Sequence, residues 1–317
     1  LKSSPLFTSM ESSTNEVVHE FPRLFRIYKD GRIEKLSVTD FVPPSDDLKT
    51  SVRSKDVVIS PEPTVSARLF LPRTTNPDQK LPLLIYIHGG AFSIQSPFSS
   101  VYHKYVSSLV ELANVIAVSI DYRLAPEHSI PACYDDSWAV MEWVALHANG
   151  GQGPEPWLND HADFRRVFLA GDSAGANIAH EMLVRASNAD QVFDKMIVGM
   201  VLNQPFFGDD EPNKLWMLIC PETSGCDDPR INPAAHPSLL AKLVCKKVLV
   251  CTAEKDFLRQ RGWTYYEALR SSGWGGVVEI VETEGEEHVF HLLKPSCEKS
   301  GRLMKQVASF FNQDHGS

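Results

Sequence analysis

The chain has 317 residues, 43% of them hydrophobic, which is enough for one large domain or two small ones with a sizeable core. Its 31 basic and 40 acidic residues are interspersed and give a formal net charge of −9, which argues against nucleic acid as the main partner because phosphate binding needs clustered Lys and Arg. No apolar run approaches the roughly 18 residues that a membrane-spanning helix needs, so we expect no membrane partner.

The cysteines and the N-terminus both indicate a cytoplasmic protein. Six cysteines are scattered without a C-x-x-C pair, which is typical of free thiols in a reducing compartment; a bridge between Cys220 and Cys226 is the alternative. Residues 1–10 lack the apolar segment of a secretory signal. Met10 is the expected natural start, with residues 1–9 as an added or translated leader.

The first 72 residues predict one helix and two pairs of strands. Residues 11–30 mix acidic and apolar positions and predict a helix near Val17–Leu24. Residues 25–36 alternate on both sides of Asp30-Gly31, a strong two-residue turn signal, and predict a hairpin. Two further strands are expected at Ser54–Ile59 and Val65–Leu71.

From residue 82 onward, strand and helix patterns alternate. Leu83–Ile87 is a continuous apolar run, which is typical of a strand buried on both faces. The predicted elements that follow are a helix near Val101–Leu112, a strand at Val115–Ile120, a helix at Trp138–Ala148, a strand at Arg166–Ala170, a helix at Ala174–Ser187, strands at Ile197–Leu202 and Lys247–Thr252, a helix at Gly262–Ser271, a strand at Val277–Glu282 and a helix at Cys297–Phe311. This order predicts an α/β fold with a mostly parallel central sheet and helices on both faces.

Residues 203–245 interrupt the alternation and are rich in Pro, Asp, Asn and Trp. An insertion between two core strands is where a lid or cap is expected. We therefore predict a catalytic domain of residues 25–317 that carries a small helical cap. The cap is expected to consist of residues 203–245 together with the N-terminal segment 1–24.

The segment Gly171-Asp172-Ser173-Ala174-Gly175 follows an apolar strand and precedes a helix pattern. A serine at the tip of a sharp strand-to-helix turn needs small residues two positions to either side, because side chains do not fit there. A lone G-x-S-x-G sequence is often structural. It predicts a nucleophile, Ser173, only when a base and an acid accompany it.

A serine hydroxyl needs a base within hydrogen-bond reach, and the base needs an orienting carboxylate. In this type of fold the chain order is serine, acid, histidine. Asp256 follows the strand that ends at Thr252, and His288 follows the strand that ends at Glu282, so both occur in the required order. The alternatives are Glu254, Asp209 or Asp210 for the acid and His291 for the base.

A second motif, His88-Gly89-Gly90-Ala91-Phe92, also follows an apolar strand. The backbone N–H groups of glycines can approach a substrate oxygen because no side chain blocks them. We expect the N–H groups of Gly89, Gly90 and Ala174 to form an oxyanion hole. His88 is expected to hold the loop in place rather than to take part in the chemistry.

The remaining candidates are assigned to structure or to a substrate pocket. Asp121-Tyr122-Arg123, with Pro126-Glu127-His128, is expected to form a structural loop behind the site. The other histidines show no metal-ligand spacing, so no metal is expected. Pockets for small esters are mostly apolar, and the candidate lining residues are Phe92, Phe206, Phe207, Trp216 and Met217.

Together these motifs resemble those of the plant carboxylesterases of the hormone-sensitive-lipase type. The resemblance extends from Phe25 to Phe311 and includes Tyr28-Lys29-Asp30-Gly31, His88-Gly89-Gly90, Asp121 to His128, Gly171 to Ile178 and Glu287-His288. It implies an α/β-hydrolase fold with an N-terminal helical cap, ester hydrolysis and no cofactor. One departure is Ala91, where many members have a third glycine; with Gly89 and Gly90 as the main donors, alanine there is expected to narrow the pocket without removing the hole.

Three groups with other functions share this scaffold. The 2-hydroxyisoflavanone dehydratases are similar to this chain, and some carry threonine at the nucleophile position; Ser173 favours hydrolysis without excluding elimination. Gibberellin receptors have lost the catalytic histidine, so His288 argues against that group, and related alkaloid cyclases alter the histidine or the oxyanion glycines. We therefore predict a serine carboxylesterase, monomeric or homodimeric, that hydrolyses small to medium acyl esters through an acyl-enzyme.

Overall fold

The computed structural model describes residues 15–73, 79–148, 153–189, 192–209, 211 and 213–313. The chain divides into two compact units, residues 1–39 and residues 40–317. Met10 and the predicted leader lie outside the described residues, and so does Asp210.

The described part of the first unit is a three-stranded antiparallel sheet. Its strands are β1 (Val17–Phe21), β2 (Phe25–Tyr28) and β3 (Ile33–Lys35), in that spatial order. The predicted hairpin is confirmed, since β2 pairs with β3 across a turn in which Gly31 has a φ of 84°. The helix predicted near residues 17–24 is wrong. Its apolar run is too short to stabilise a helix, and it pairs with β2 instead.

The second unit is built on an eight-stranded sheet. Its strands are β4 (Val52–Pro61), β5 (Thr64–Pro72), β6 (Leu81–Ile87), β7 (Ile116–Asp121), β8 (Ala162–Asp172), β9 (Ile197–Asn203), β10 (Lys247–Ala253) and β11 (Val277–Thr283). The spatial order is β11-β10-β9-β8-β6-β7-β5-β4, with β6 to β11 parallel and β5 antiparallel to both of its neighbours. The predicted mostly parallel sheet is thus confirmed.

The helices of this unit connect successive strands, except for the last two, which follow β11. They are α1 (Ser100–Ala113), α2 (Ala132–Ala145), α3 (Pro156–His161), α4 (Ala174–Ser187), α5 (Val192–Met196), α6 (Lys214–Ile219), α7 (Pro237–Leu240), α8 (Arg259–Ser271), α9 (Phe290–Leu293) and α10 (Glu298–Asn312). Every residue of β6 is buried, so both faces of the sheet centre are covered. The predicted bounds of α4 coincide with those observed, whereas α2 begins six residues before its predicted start, directly after Pro131.

The insertion between β9 and β10 contains α6, α7 and two short 3₁₀ turns, Gly225–Asp227 and Pro233–Ala235. A polar network holds this segment together. Arg230 forms a paired hydrogen bond with Asp228, whose carboxylate also accepts from Thr223 at 2.7 Å. The insertion is fastened to α4 as well, because the amide of Asn177 donates to the backbone oxygen of Arg230 at 2.7 Å.

Two further sequence predictions concern disulfides and membrane-spanning helices. All six cysteines are free thiols, so the alternative of a Cys220–Cys226 bridge is not realised. Among the described residues, no helix combines the length and the apolar character that crossing a bilayer requires.

Candidate active site

The candidate residues meet at the carboxyl edge of the parallel strands, where ligand sites of such sheets lie. Ser173 directly follows β8, Asp256 follows β10, and His288 follows β11. The His88-Gly89-Gly90 loop follows β6, the neighbour of β8. Three segments far apart in the chain therefore converge on the serine because their strands are parallel.

Ser173 stands at a sharp turn between β8 and α4. Its backbone has φ 50° and ψ −118°, a conformation that side chains rarely adopt and that occurs where a nucleophile is held exposed. Both glycines of the motif are required by space. A Cβ on Gly171 would overlap the backbone of Gly175, and a Cβ on Gly175 would overlap the backbone oxygens of Ile87 and His88.

The side chains of Ser173, His288 and Asp256 form a continuous hydrogen-bonded chain. The Nε2 atom of His288 lies 2.9 Å from Ser173 Oγ, and its Nδ1 atom lies 2.8 Å from Asp256 Oδ2. A carboxylate can only accept, so Nδ1 carries the proton and Nε2 is left to accept from the serine hydroxyl. The other oxygen of Asp256 accepts from the N–H of Leu258 at 2.8 Å, which fixes the carboxylate.

The alternative acids and base have other contacts. Glu254 accepts from the N–H of Gly285 at 2.6 Å, and Asp209 pairs with Arg261 at 3.0 Å. His291 is only 1% exposed and packs edge-on against Tyr105, with ring centroids 5.2 Å apart. Within the described ranges, no group of three or more His, Cys, Asp or Glu side chains could hold a metal ion.

The glycine loop differs in one respect from the expectation. The N–H of Gly89, a predicted oxyanion donor, already donates to the hydroxyl of Tyr102 at 2.8 Å. By contrast, the N–H groups of Gly90 and Ala91 find no acceptor within the part of the chain that the structure describes. Ala174 is the first residue of α4, so its N–H also has no partner inside the helix. We therefore revise the candidate donors to Gly90, Ala91 and Ala174.

A buried polar chain supports the glycine loop from behind. Asp172 accepts from the hydroxyl of Tyr102 at 2.8 Å and from that of Tyr86 at 2.9 Å. Complete burial raises the pKa of Asp172 to about 6, and the two tyrosine hydrogen bonds oppose this rise. Tyr102 thus links the residue before the nucleophile to the N–H of Gly89, and it fixes the distance between the two motifs.

His88 lies in the interior and makes no contact with Ser173. Its Nδ1–H donates to the backbone oxygen of Gly89 at 2.7 Å, and its ring stacks on Tyr122 with centroids 4.2 Å apart. Burial lowers the pKa of His88 to about 4, so the ring is neutral at neutral pH. Tyr122, from the loop that was expected to lie behind the site, donates in turn to the backbone oxygen of His88 at 2.8 Å.

The candidate pocket residues fall into two groups. The ring of Phe92 contacts Phe206 and Trp216, with centroids 5.7 and 5.9 Å away, and none of the three side chains is more than 6% exposed. Phe207 points elsewhere and packs between His180 and Tyr265, and Met217 is 46% exposed on α6. The structure therefore brings together three of the five predicted lining residues.

Two residues beside the candidate site were not predicted from the sequence motifs. Phe257 packs against the imidazole of His288 with ring centroids 4.9 Å apart, yet it is 71% exposed. Gln204 is buried, and its Oε1 atom accepts from the N–H of Val289 at 2.6 Å. Phe257 had a signal in the sequence, since it directly follows Asp256. Gln204 had none.

The fold and the serine turn define the class of protein as an α/β hydrolase. A family model described as "alpha/beta hydrolase fold" matches residues 84–292. A solved structure of a hyperthermophilic esterase from the archaeon Pyrobaculum calidifontis is 26% identical, with a TM-score of 0.65 over 82% of this chain and 85% of that one.

Plant proteins are more similar still. A 2-hydroxyisoflavanone dehydratase of Glycyrrhiza echinata is 43% identical over 94% of this chain and 97% of its own length. Probable carboxylesterase 13 of Arabidopsis thaliana is also 43% identical, over 95% of this chain and 99% of its own length. The chain therefore belongs to the α/β-hydrolase family, within the group that contains the plant carboxylesterases and the 2-hydroxyisoflavanone dehydratases.

Proposed function

We propose that the protein is a serine carboxylesterase with Ser173 as nucleophile, His288 as general base and acid, and Asp256 as the orienting carboxylate. The observation that carries the proposal is the unbroken hydrogen-bonded chain of these side chains, with distances of 2.9 and 2.8 Å. Carboxylesterases among the relatives and esterases among the similar structures support the same reaction.

The reaction follows from this geometry in two steps. In the first, Ser173 Oγ attacks the ester carbonyl while His288 Nε2 takes the hydroxyl proton, and the imidazolium then protonates the departing alcohol as the acyl-enzyme forms. In the second, His288 removes a proton from water as the water attacks the acyl-enzyme, and the imidazolium returns this proton to Ser173 Oγ when the bond to the acyl group breaks and the acid departs. Asp256 holds the tautomer that both steps require.

The oxyanion of each tetrahedral intermediate needs donors that are unoccupied in the resting enzyme. The N–H groups of Gly90, Ala91 and Ala174 meet this requirement among the described residues. Gly89 has a structural role in the oxyanion hole, because its N–H donates to the hydroxyl of Tyr102 and this hydrogen bond fixes the loop. Each donor contributes on the order of 3 kcal/mol to the transition state.

The substrate is a small-molecule ester with a small to medium acyl group. The exposed ring of Phe257 supplies hydrophobic surface beside His288, and the buried apolar cluster of Phe92, Phe206 and Trp216 adjoins Ser173 through the N–H of Phe206, which donates to the backbone oxygen of Ser173 at 2.9 Å. Such surface suits uncharged esters, since pockets for small molecules are mostly apolar with few polar groups. No cofactor enters either step.

Replacement of Ser173 by Ala tests this proposal. The variant should lose hydrolysis of p-nitrophenyl acetate by a factor of about 10³ or more, because the nucleophile is gone, and should not be labelled by an organophosphate. Retention of the acyl burst and of the label in Ser173→Ala would refute the assignment of the nucleophile.

A second candidate function is dehydration of a 2-hydroxyisoflavanone, which the 43% identical Glycyrrhiza echinata protein favours. In that reaction His288 would remove a proton from the carbon next to the ketone, the same donors would stabilise the enolate, and the 2-hydroxyl would then depart as water with the proton returned by the imidazolium; Ser173 would not become acylated. Turnover of a 2-hydroxyisoflavanone by Ser173→Ala, together with weak ester hydrolysis by the unmodified enzyme, would support this function. A gibberellin-type receptor is disfavoured because His288 is present and hydrogen-bonded to Ser173.

Location and organisation complete the proposal. A cytoplasmic location is supported by the six free cysteines. The insertion of residues 203–245 is proposed as part of the cap, since Asn177 fastens it to the helix that follows the nucleophile. The protein acts as a monomer or homodimer.

A further inference from the structure

The turn at the end of β9, residues 203–206, contacts Ser173 directly and contacts the histidine segment through Val289. The backbone oxygen of Asn203 accepts from the N–H of Ser173 at 2.9 Å, and the N–H of Phe206 donates to the oxygen of Ser173 at 2.9 Å. The N–H of Gln204 donates to the oxygen of Cys251 on β10 at 2.7 Å. The turn is thus fixed to the nucleophile and to the neighbouring strand.

The side chain of Gln204 extends these contacts to the histidine. Its Oε1 atom accepts from the N–H of Val289, the residue after His288, at 2.6 Å. Gln204 is 1% exposed, and its Nε2 atom has no partner among the described residues. Only the amide oxygen can accept from an N–H, so the orientation of the amide is determined.

Backbone strain occurs at both ends of this hydrogen bond. Gln204 has a φ of 49° and Val289 a φ of 49°, values that are unfavourable for residues with a Cβ and rare for a β-branched one. Such conformations persist where the surroundings hold them, and they concentrate at functional sites. The hydrogen bond joins two strained residues that flank the nucleophile turn and the histidine.

The strand order explains why such a bond is needed. His288 follows β11, which lies three places from β8 and its serine. Asp256 restrains the Nδ1 edge of the imidazole, but the backbone of the histidine segment needs its own restraint to keep Nε2 within 2.9 Å of the serine oxygen. We propose that Gln204 is a positioning residue. Its hydrogen bond to the N–H of Val289 holds the backbone next to His288, so that His288 Nε2 stays within hydrogen-bond distance of Ser173 Oγ. This inference rests on the proposed serine mechanism.

Gln204→Met is the first test, because methionine keeps the length and removes the strong acceptor. We expect kcat and kcat/KM for p-nitrophenyl acetate to fall together by about 10- to 100-fold, as when a buried N–H loses its partner. The KM should change by less than about threefold, since Gln204 does not touch the substrate. Activity is expressed per folded molecule, measured by near-ultraviolet circular dichroism.

Gln204→Glu is the second test, because a carboxyl oxygen accepts from Val289 as the amide does. This variant should keep kcat within about threefold of the unmodified enzyme at its optimum pH. The acid limb of its pH–rate profile should move to higher pH, because a carboxylate beside the histidine favours the imidazolium. Asp256 is hydrogen-bonded to His288, Asp172 and His291 interact with it electrostatically, and neither substitution alters these three titratable groups.

Gln306, exposed on α10, provides the matched control, and Gln306→Met and Gln306→Glu should leave all these quantities unchanged. The positioning role is overturned if Gln204→Met has normal kcat per folded molecule. It is also overturned if Gln204→Glu loses activity as Gln204→Met does and its pH profile does not move. Failure of the serine mechanism is distinguishable, because Ser173→Ala would then retain activity.

Discussion

Phe257 provides a prediction about which esters the enzyme prefers. In the proposed mechanism His288 protonates the departing alcohol, so this alcohol lies within hydrogen-bond reach of His288 Nε2. Phe257 contacts the imidazole with centroids 4.9 Å apart, and 71% of its surface is free. An aromatic alcohol that departs from the ester beside Nε2 should therefore cover part of the Phe257 ring, whereas ethanol is too small to do so.

The size of the effect follows from the free area. A phenylalanine side chain buries on the order of 200 Å² when enclosed, so an aryl group that covers a third of the exposed part removes about 50 Å² from water. At about 25 cal/mol per Å² this is about 1 kcal/mol, or about five- to tenfold in kcat/KM. Phe257→Ala should lose this factor with phenyl acetate and lose less than about twofold with ethyl acetate.

The assay compares kcat/KM for the two acetates, because this quantity reports acylation and both esters give the same acyl-enzyme. Leu146→Ala is the control. Leu146 is 64% exposed at the C-terminal end of α2, which leads towards the start of β8 and so lies at the opposite edge of the sheet. Equal losses with both esters, or no loss with phenyl acetate, would refute the reasoning.

Two stability predictions concern residues of the serine turn, and a third substitution, on α10, serves as their comparison. Burial raises the pKa of Asp172 to about 6 from an ordinary value near 3.9, so its contribution to stability is present below about pH 4 and is lost as pH rises through about 6. Between pH 4 and pH 6, the unfolding free energy of Asp172→Asn should therefore rise by about 3 kcal/mol relative to that of the unmodified protein. Urea unfolding that shows no such relative rise would contradict this. Gly175→Ala should lose about 3 kcal/mol or more of unfolding free energy because its Cβ meets backbone oxygens. Gly301→Ala, where a Cβ on α10 meets nothing within 4 Å, should instead gain about 0.5 to 1 kcal/mol in the same measurement.

The elements of the sheet were predictable because local pattern determines them. A continuous apolar run marks β6, and glycines two positions to either side of a serine mark the turn into α4, whose bounds the sequence predicted correctly. The order of acid and histidine along the chain predicted Asp256 and His288 while leaving Glu254 and His291 as alternatives, and the structure places Asp256 and His288 within hydrogen-bond distance of each other. These features depend on spacing within short segments, and spacing is visible in one sequence.

What the sequence could not predict depends on contacts between distant segments. The hydroxyl of Tyr102 accepts from the N–H of Gly89, which lies 13 residues away in the chain, and the side chain of Gln204 accepts from the N–H of Val289, which lies 85 residues away. Neither contact has a periodicity or a motif. The error at β1 has another cause, since five residues are too few to distinguish a helix from a strand that finds a partner in β2.

The supporting contacts divide the site into a fixed part and a variable part. Asp172, Tyr102 and Gly89 connect the serine turn to the glycine loop through buried hydrogen bonds, so these contacts set the distance between Ser173 and the proposed oxyanion donors. Trp216 belongs to the insertion, and Phe257 stands on an exposed loop. Substitution of Phe257 should therefore change the apolar surface beside His288 while leaving the hydrogen bonds between the serine turn and the glycine loop in place. Proteins that share this serine turn can therefore differ in substrate, and even in reaction, through the apolar residues that surround it.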